Sequence, residues 1–229
     1  GSTGAVMAAS LFILRPLPGV DRPSVATLLP TRGAPVVLLD AGTNVDCKPR
    51  HLVQFAHLGR VYVQDVLGVE EPRIGLLNIG EEPGKGDERT IETFGLLEAD
   101  PILDFVGNVE GREIIRGACD VLVADGFVGN VLLKFYESVA QYFVSMVRDE
   151  VSRSGAELDL EETFRRLDYS EYGGAPLLGV DGVTIICHGG SSPKAIRNAV
   201  QVAAQAVRSD MVKDMAEELA AVHNGGTAE

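Results

Sequence analysis

Four short polar turns in this chain carry the residue types that hold and react with anions. The stretch Asn78-Ile-Gly-Glu-Glu-Pro-Gly-Lys-Gly86 places Gly84, Lys85 and Gly86 together after an apolar run. Asp40-Ala-Gly-Thr-Asn44, Asp125-Gly-Phe-Val-Gly-Asn130 and His188-Gly-Gly-Ser-Ser192 repeat the theme of a small, amide-rich turn with one polar side chain at its end. Glycine lets the backbone N–H groups of such turns approach a bound oxyanion, and a lysine adds a point charge. Catalytic work is expected of Lys85, Asn130 and His188. Contacts to a bound anion are expected from Asn44, Gly84, Gly86, Gly126, Gly129, Gly189, Ser191 and Ser192. The spacing is not that of a G-x-x-x-x-G-K-[ST] loop. Each assignment has a plain competitor: Lys85 can pair with Glu81, Glu82, Asp87 or Glu88, His188 can be structural, and Asp40 and Asp125 can simply cap their turns.

The elements that must position these turns follow from hydrophobic patterning. Continuous apolar runs predict strands over 25–29, 36–39, 74–79, 103–106, 121–124 and 183–187. Helical spacing predicts helices over 5–14, 49–67, 87–98 and 131–152, with further helices to about 223. Strands that are apolar on both faces and alternate with helices belong to a mostly parallel sheet covered on both sides. In such sheets ligands sit beyond the carboxyl ends of the strands, so the turns after 39, 78, 106, 124 and 187 are expected on one rim. Residues 140–180 interrupt the alternation and predict a projecting helical pair, with Tyr136, Val139, Phe143, Val147 and Val151 on one apolar stripe and Leu160, Phe164 and Leu167 on the other.

Composition narrows the function. Twenty basic against 33 acidic residues give a net charge of −13, which excludes a nucleic-acid partner. Cys47, Cys119 and Cys187 lie far apart, as expected for buried thiols in a reducing cytoplasm. No His, Cys, Asp and Glu set has metal-ligand spacing and there is no G-x-G-x-x-G, so neither metal nor cofactor is expected.

As an ordered set, these motifs resemble the bacterial phosphate acyltransferase family of phospholipid synthesis. The resemblance runs from Gly1-Ser-Thr-Gly-Ala5 through Asp40-Ala-Gly-Thr-Asn-Val-Asp-Cys-Lys-Pro49, Gly75-Leu-Leu-Asn-Ile-Gly-Glu-Glu82, Phe105-Val-Gly-Asn-Val-Glu-Gly111 and Asp125-Gly-Phe-Val-Gly-Asn130. It continues to Asp168-Tyr-Ser-Glu-Tyr-Gly-Gly174 and the His188 turn. The family's opening strand and its Asp- and Gly-rich loop precede the Gly1–Ala5 motif, so the chain is expected to be the larger C-terminal part of a longer protein. Gly190 is an additional residue relative to the family's more usual His-Gly-Ser-Ser.

The resemblance implies a single α/β domain over 1–229. Its architecture would be a three-layer α/β/α sandwich like that of the isocitrate and isopropylmalate dehydrogenases, with a helical protrusion at about 140–180. It implies transfer of a fatty acyl group from an acyl carrier protein thioester to inorganic phosphate, by a cytoplasmic homodimer with peripheral membrane contact. The acyl-phosphate would pass to a glycerol-phosphate acyltransferase. The competing readings are a short-chain phosphate acyltransferase using coenzyme A thioesters, and a non-catalytic, dimerising membrane-surface module.

Overall fold

The run Val36-Val-Leu-Leu39 has no polar residue, and all four side chains are buried, so this strand lies between two packed layers. The computed structural model describes residues 2–154, 160, 164 and 173–225. In chain order the strands are β1 (Ser24–Val25), β2 (Thr27–Leu29), β3 (Val36–Leu39), β4 (Arg73–Asn78), β5 (Asp104–Glu110), β6 (Val121–Val123), β7 (Ala175–Leu178) and β8 (Thr184–Ile186). The helices are α1 (Ser2–Ile13), α2 (Pro49–Leu67), α3 (Glu88–Glu98), α4 (Gly111–Ile114), α5 (Gly126–Ser154), α6 (Pro193–Arg208) and α7 (Met211–Gly225).

Five strands form one sheet in the order β2-β3-β6-β4-β5, in which β3, β6, β4 and β5 run parallel and β2 is an antiparallel edge. Its two faces are served by alternate residues, as a period of two requires. Val37, Leu39, Ile74, Leu76, Val121 and Val123 pack with Phe55, Leu58 and Tyr62 of α2, Phe94 and Leu97 of α3, and Met211, Met215 and Leu219 of α7. Val36, Leu38, Leu122 and Ala124 pack on the other side with Ile114, Leu132, Leu133 and Tyr136. Phe55 and Leu58 are fully buried, and side chains of this size contribute about 1.5–3 kcal/mol each on burial.

The expectation of one mostly parallel sheet needs correction. Strands β1, β7 and β8 form a separate three-stranded antiparallel sheet in the order β1-β7-β8. Only residues 179–183 join β7 to β8, too few for the crossover that parallel strands need, so the pair closes as a hairpin. The predicted strand over 25–29 divides for the same reason: Ser24 and Val25 pair with Leu178 and Leu177, whereas Thr27 to Leu29 pair with β3. The His188 turn therefore leaves an antiparallel strand, and residues 107–110, expected as a turn, extend β5 in its pairing with β4, so the rim of the parallel sheet carries three of the five predicted turns.

Helix α5 runs on to Ser154, into the segment 140–180, and the stripe predicted through Tyr136 is not its exposed one, because Tyr136 packs against the sheet. In α5 the side chains of Val128, Val131, Phe135, Val139, Tyr142 and Met146 recur at helical spacing and are exposed, Phe135 to 68 %. Arg148 lies over the ring of Phe164 at 5.1 Å. The predicted helical segment at 158–167, apart from residues 160 and 164, and the Asp168–Tyr172 part of its motif lie outside the described residues.

Candidate functional site

Each turn on the rim is first a piece of backbone engineering. Asp40 is wholly buried at the end of β3, where one carboxylate oxygen accepts hydrogen bonds from the N–H of Gly42 (3.1 Å) and Thr43 (3.1 Å) and from the Thr43 hydroxyl (2.6 Å). The other accepts the backbone N–H of Asn44 and its side-chain amide. A carboxylate so fully hydrogen-bonded is a turn clamp, not a base. Asp125 acts likewise at the start of α5: Oδ1 accepts from Phe127 N (2.8 Å) and Val128 N (3.0 Å), and Oδ2 from Arg89 (2.9 Å).

These clamps account for several predicted anion contacts. The Asn44 amide donates to the Pro23 carbonyl (2.9 Å) and to Asp40, and the backbone carbonyl of Asn44 accepts from Gly126 N. It stays inside the turn and does not reach the rim surface. Gly126 and Gly129 are glycine because α5 presses against the 40–44 turn. A Cβ at Gly129 would lie 1.9 Å from the Asp40 carbonyl oxygen, and one at Gly126 would lie 2.8 Å from Asn44 N. Ser192 caps α6, its hydroxyl accepting from Ala195 N at 3.2 Å. All four residues hold the scaffold.

The 79–87 loop is stapled to its strands by two asparagines. Asn78 donates to the Lys85 carbonyl (2.9 Å) and Asn108 to the Glu82 carbonyl (2.8 Å). The Lys85 ammonium is exposed, 4.0 Å from Glu82. Gly84 and Gly86 are exposed in the same loop. This loop shares the rim with the Asp125 turn, to which Arg89 ties it, but Lys85, Gly84 and Gly86 are not on the wall of the cleft described next.

That cleft, of about 580 Å³, is where the other predicted residues meet. Asn130, His188, Gly189 and Ser191 line it, beside Gly42 and Thr43 of the Asp40 turn. Thr3, Asn130 and Ala195 come from the opening turns of α1, α5 and α6, so three helices place their N-terminal ends at one cavity, where their dipoles favour an anion. The Asn130 amide makes no hydrogen bond with any described residue and faces Gly42, 3.2 Å from where a Cβ would stand. Nδ1 of the exposed His188 accepts from Gly190 N at 3.4 Å. Apolar side chains share the wall with these polar groups: Val25, Leu28, Leu29, Pro30, Leu133, Ala140 and Ile186. Tyr136 joins the walls, its hydroxyl donating to the Pro30 carbonyl at 2.6 Å.

Sequence reasoning missed Thr3, Thr43, Lys134, Tyr136 and Glu137. The signal was present for α5: Asn130, Lys134, Glu137 and Gln141 recur at four, three and four residues on the cleft face of an otherwise apolar helix. Along the helix this face runs about 16 Å at 1.5 Å per residue. Cys187, expected as a buried thiol, lines the cleft, whereas Cys47 and Cys119 are buried and burial pushes their thiols up to about 11 and about 12. Among the described residues, no group of three or more His, Cys, Asp and Glu side chains is arranged to hold a metal ion.

Comparison with known proteins gives three findings. The profile of the family described as "Fatty acid synthesis protein" matches residues 1–214. The chain is 51 % identical over 226 residues to a phosphate acyltransferase of Desulforamulus reducens, covering 96 % of this chain and 68 % of that protein. It is 50 % identical over 227 residues to one of Geotalea uraniireducens, covering 96 % and 65 %. The chain thus spans about two thirds of the length of these relatives. Among solved structures, a phosphotransacetylase from Streptococcus pyogenes superposes with a TM-score of 0.58 at 18 % identity, covering 91 % of this chain and 61 % of that one. The EutD phosphotransacetylase from Staphylococcus aureus gives 0.58 at 14 %, covering 86 % and 57 %. These two likenesses concern the fold.

Proposed function

The chain belongs to the fatty acid synthesis protein family, and from that premise we propose that it transfers a fatty acyl group from the thioester of acyl carrier protein to inorganic phosphate. The observation that carries this reading is a cleft reached by three helix N-termini whose lining also includes apolar side chains. An anion and an alkyl chain fit side by side in such a site.

A phosphate oxygen attacks the thioester carbonyl carbon; the carbon–sulfur bond breaks, and the products are acyl-phosphate and the free pantetheine thiol. Phosphate is a nucleophile at neutral pH, so the protein's task is positioning and stabilisation of the tetrahedral oxyanion. In this reading the Asn130 amide donates to that oxyanion, and His188 delivers a proton to the departing thiolate. The 188–191 turn holds phosphate, and Lys85 with Gly84 and Gly86 adds positive potential from the adjoining loop of the rim.

Finer features belong to the same proposal. The two covered faces of the five-stranded sheet support a three-layer α/β/α arrangement of the dehydrogenase group within one domain. The exposed apolar stripe of α5 supports a homodimer or peripheral membrane contact in the cytoplasm, from which acyl-phosphate passes to a glycerol-phosphate acyltransferase. No helix among the described residues is long and apolar enough to cross a membrane.

The test is acyl-phosphate formation from long-chain acyl-acyl carrier protein and phosphate, beside acetyl-coenzyme A and phosphate. Product from the first pair alone is expected. Product only from the second moves the function to short-chain acyl transfer, and none from either removes the reading.

A further inference from the structure

The phosphate site proposed above needs a cation. With a net charge of −13, the protein as a whole repels an incoming oxyanion, so a local positive group has to offset that field. Among the described residues lining the cleft, the one lysine or arginine is Lys134. It stands one helical turn after Asn130 on the same face of α5, so both side chains approach one bound group from the same side.

Its present partner is informative. The ammonium lies 2.8 Å from Glu137, three residues on, and Glu137 lines the cleft too. The Lys134 side chain is 63 % exposed, and an ion pair in that setting is weakly held. Lysine carries a compact charge on a flexible stem, so it can exchange one oxyanion for another without moving the helix.

We propose that Lys134 is a phosphate-binding residue of this cleft. It gives up its pairing with Glu137 for a phosphate oxygen, and Glu137 is the competing anion that limits how tightly phosphate is held. The proposal rests on the reading that phosphate is the acyl acceptor. It adds to the charge on the 79–87 loop and does not replace it, because Lys85 lies off the cleft wall with its own carboxylate.

The two partners should respond in opposite directions. Binding of inorganic phosphate is measured by calorimetry in a phosphate-free buffer, for the wild-type chain and for Lys134→Met, Lys134→Arg and Glu137→Gln, each with its thermal midpoint. Loss of a charge-assisted contact in Lys134→Met weakens binding by roughly tenfold or more. Lys134→Arg keeps the charge and stays within roughly threefold of wild type. Glu137→Gln removes the competitor and tightens binding by roughly threefold or more. In turnover, Lys134→Met raises KM for phosphate and leaves KM for the acyl thioester in place.

Lys134→Met and Glu137→Gln shifting together, or neither shifting, makes the pair a surface ion pair and overturns the proposal. So does a wild-type chain that binds no phosphate. If the binding shifts appear but no acyl-phosphate forms, the acyl-transfer reading falls and Lys134 stands. If acyl-phosphate forms while Lys134→Met binds phosphate like wild type, Lys134 falls and acyl transfer stands.

Discussion

Between α2 and α7, His57 is completely buried and both its ring nitrogens are bonded, Nδ1 to Glu218 at 2.7 Å and Nε2 to Asp100 at 2.9 Å. Arg60 takes the second oxygen of Glu218. On the opposite face of the five-stranded sheet, Asn130 keeps its amide open to the cleft, and His188 has one long local contact. Burial by itself would pull the His57 pKa down; the hydrogen bonds and charges of Asp100 and Glu218 outweigh it and raise it. The same type of side chain thus closes one region and stays open in another. What separates them is whether the fold supplies complementary partners, and unmet polar groups gathered at a cavity mark the region meant for a ligand.

Substitutions that break the closed regions should act on stability. Gly129→Ala drives a Cβ into the Asp40 carbonyl, backbone against backbone, and is expected to cost about 4 kcal/mol or more, read as a fall in denaturation midpoint. His57→Ala leaves the half-buried Asp100 and Glu218 without their shared ring, Glu218 keeping only Arg60, and is expected to cost about 3 kcal/mol.

The pH dependence sharpens the contrast. Because folding raises the His57 pKa above 6.5, its stabilisation is complete below that value and is lost as pH rises through the folded value. Asp65 is pushed from 3.8 up to about 6 by burial and by Asp214 and Glu218, so its share is also greatest in acid and is lost as pH rises towards about 6. Both groups lower the thermal midpoint as pH is raised from 5 to 9, and His57→Ala should flatten the upper part of that fall. A midpoint that rises over this range contradicts the assignment.

The smallest effect separates two adjacent serines. Ser192→Ala loses the α6 cap, costing about 1 kcal/mol, whereas Ser191→Ala changes stability by less than about 0.5 kcal/mol and weakens phosphate binding instead.

The parts legible in the sequence were those set by local chemistry. Helix α2 was predicted to the residue, because Pro49 opens it and Gly68, in a left-handed conformation, ends it. Asp87 caps α3 through Thr90 N at 2.8 Å, where the pattern placed the helix start. Strand β7 was missed because Ala175-Pro-Leu-Leu178 between glycines carries no alternation, and its strand character comes from pairing with β1 and β8. The site divided along the same line. Asn130, His188, Gly189 and Ser191 announced themselves as turn residues with side chains or amides to offer. Nothing local revealed that the amide of Asn44 would be consumed by Asp40 and Pro23, or that Lys134 would face the cavity, since both depend on which elements pack together.

The central claim is that the open polar groups of the cleft stabilise the acyl-transfer transition state. It is tested most directly by acyl-phosphate formation from long-chain acyl-acyl carrier protein and phosphate in Asn130→Ala, with the thermal midpoint measured on the same sample. Loss of one oxyanion donor predicts a fall in kcat of about a hundredfold. The midpoint should stay within about 0.5 kcal/mol of wild-type stability. Wild-type turnover in that variant would contradict the account.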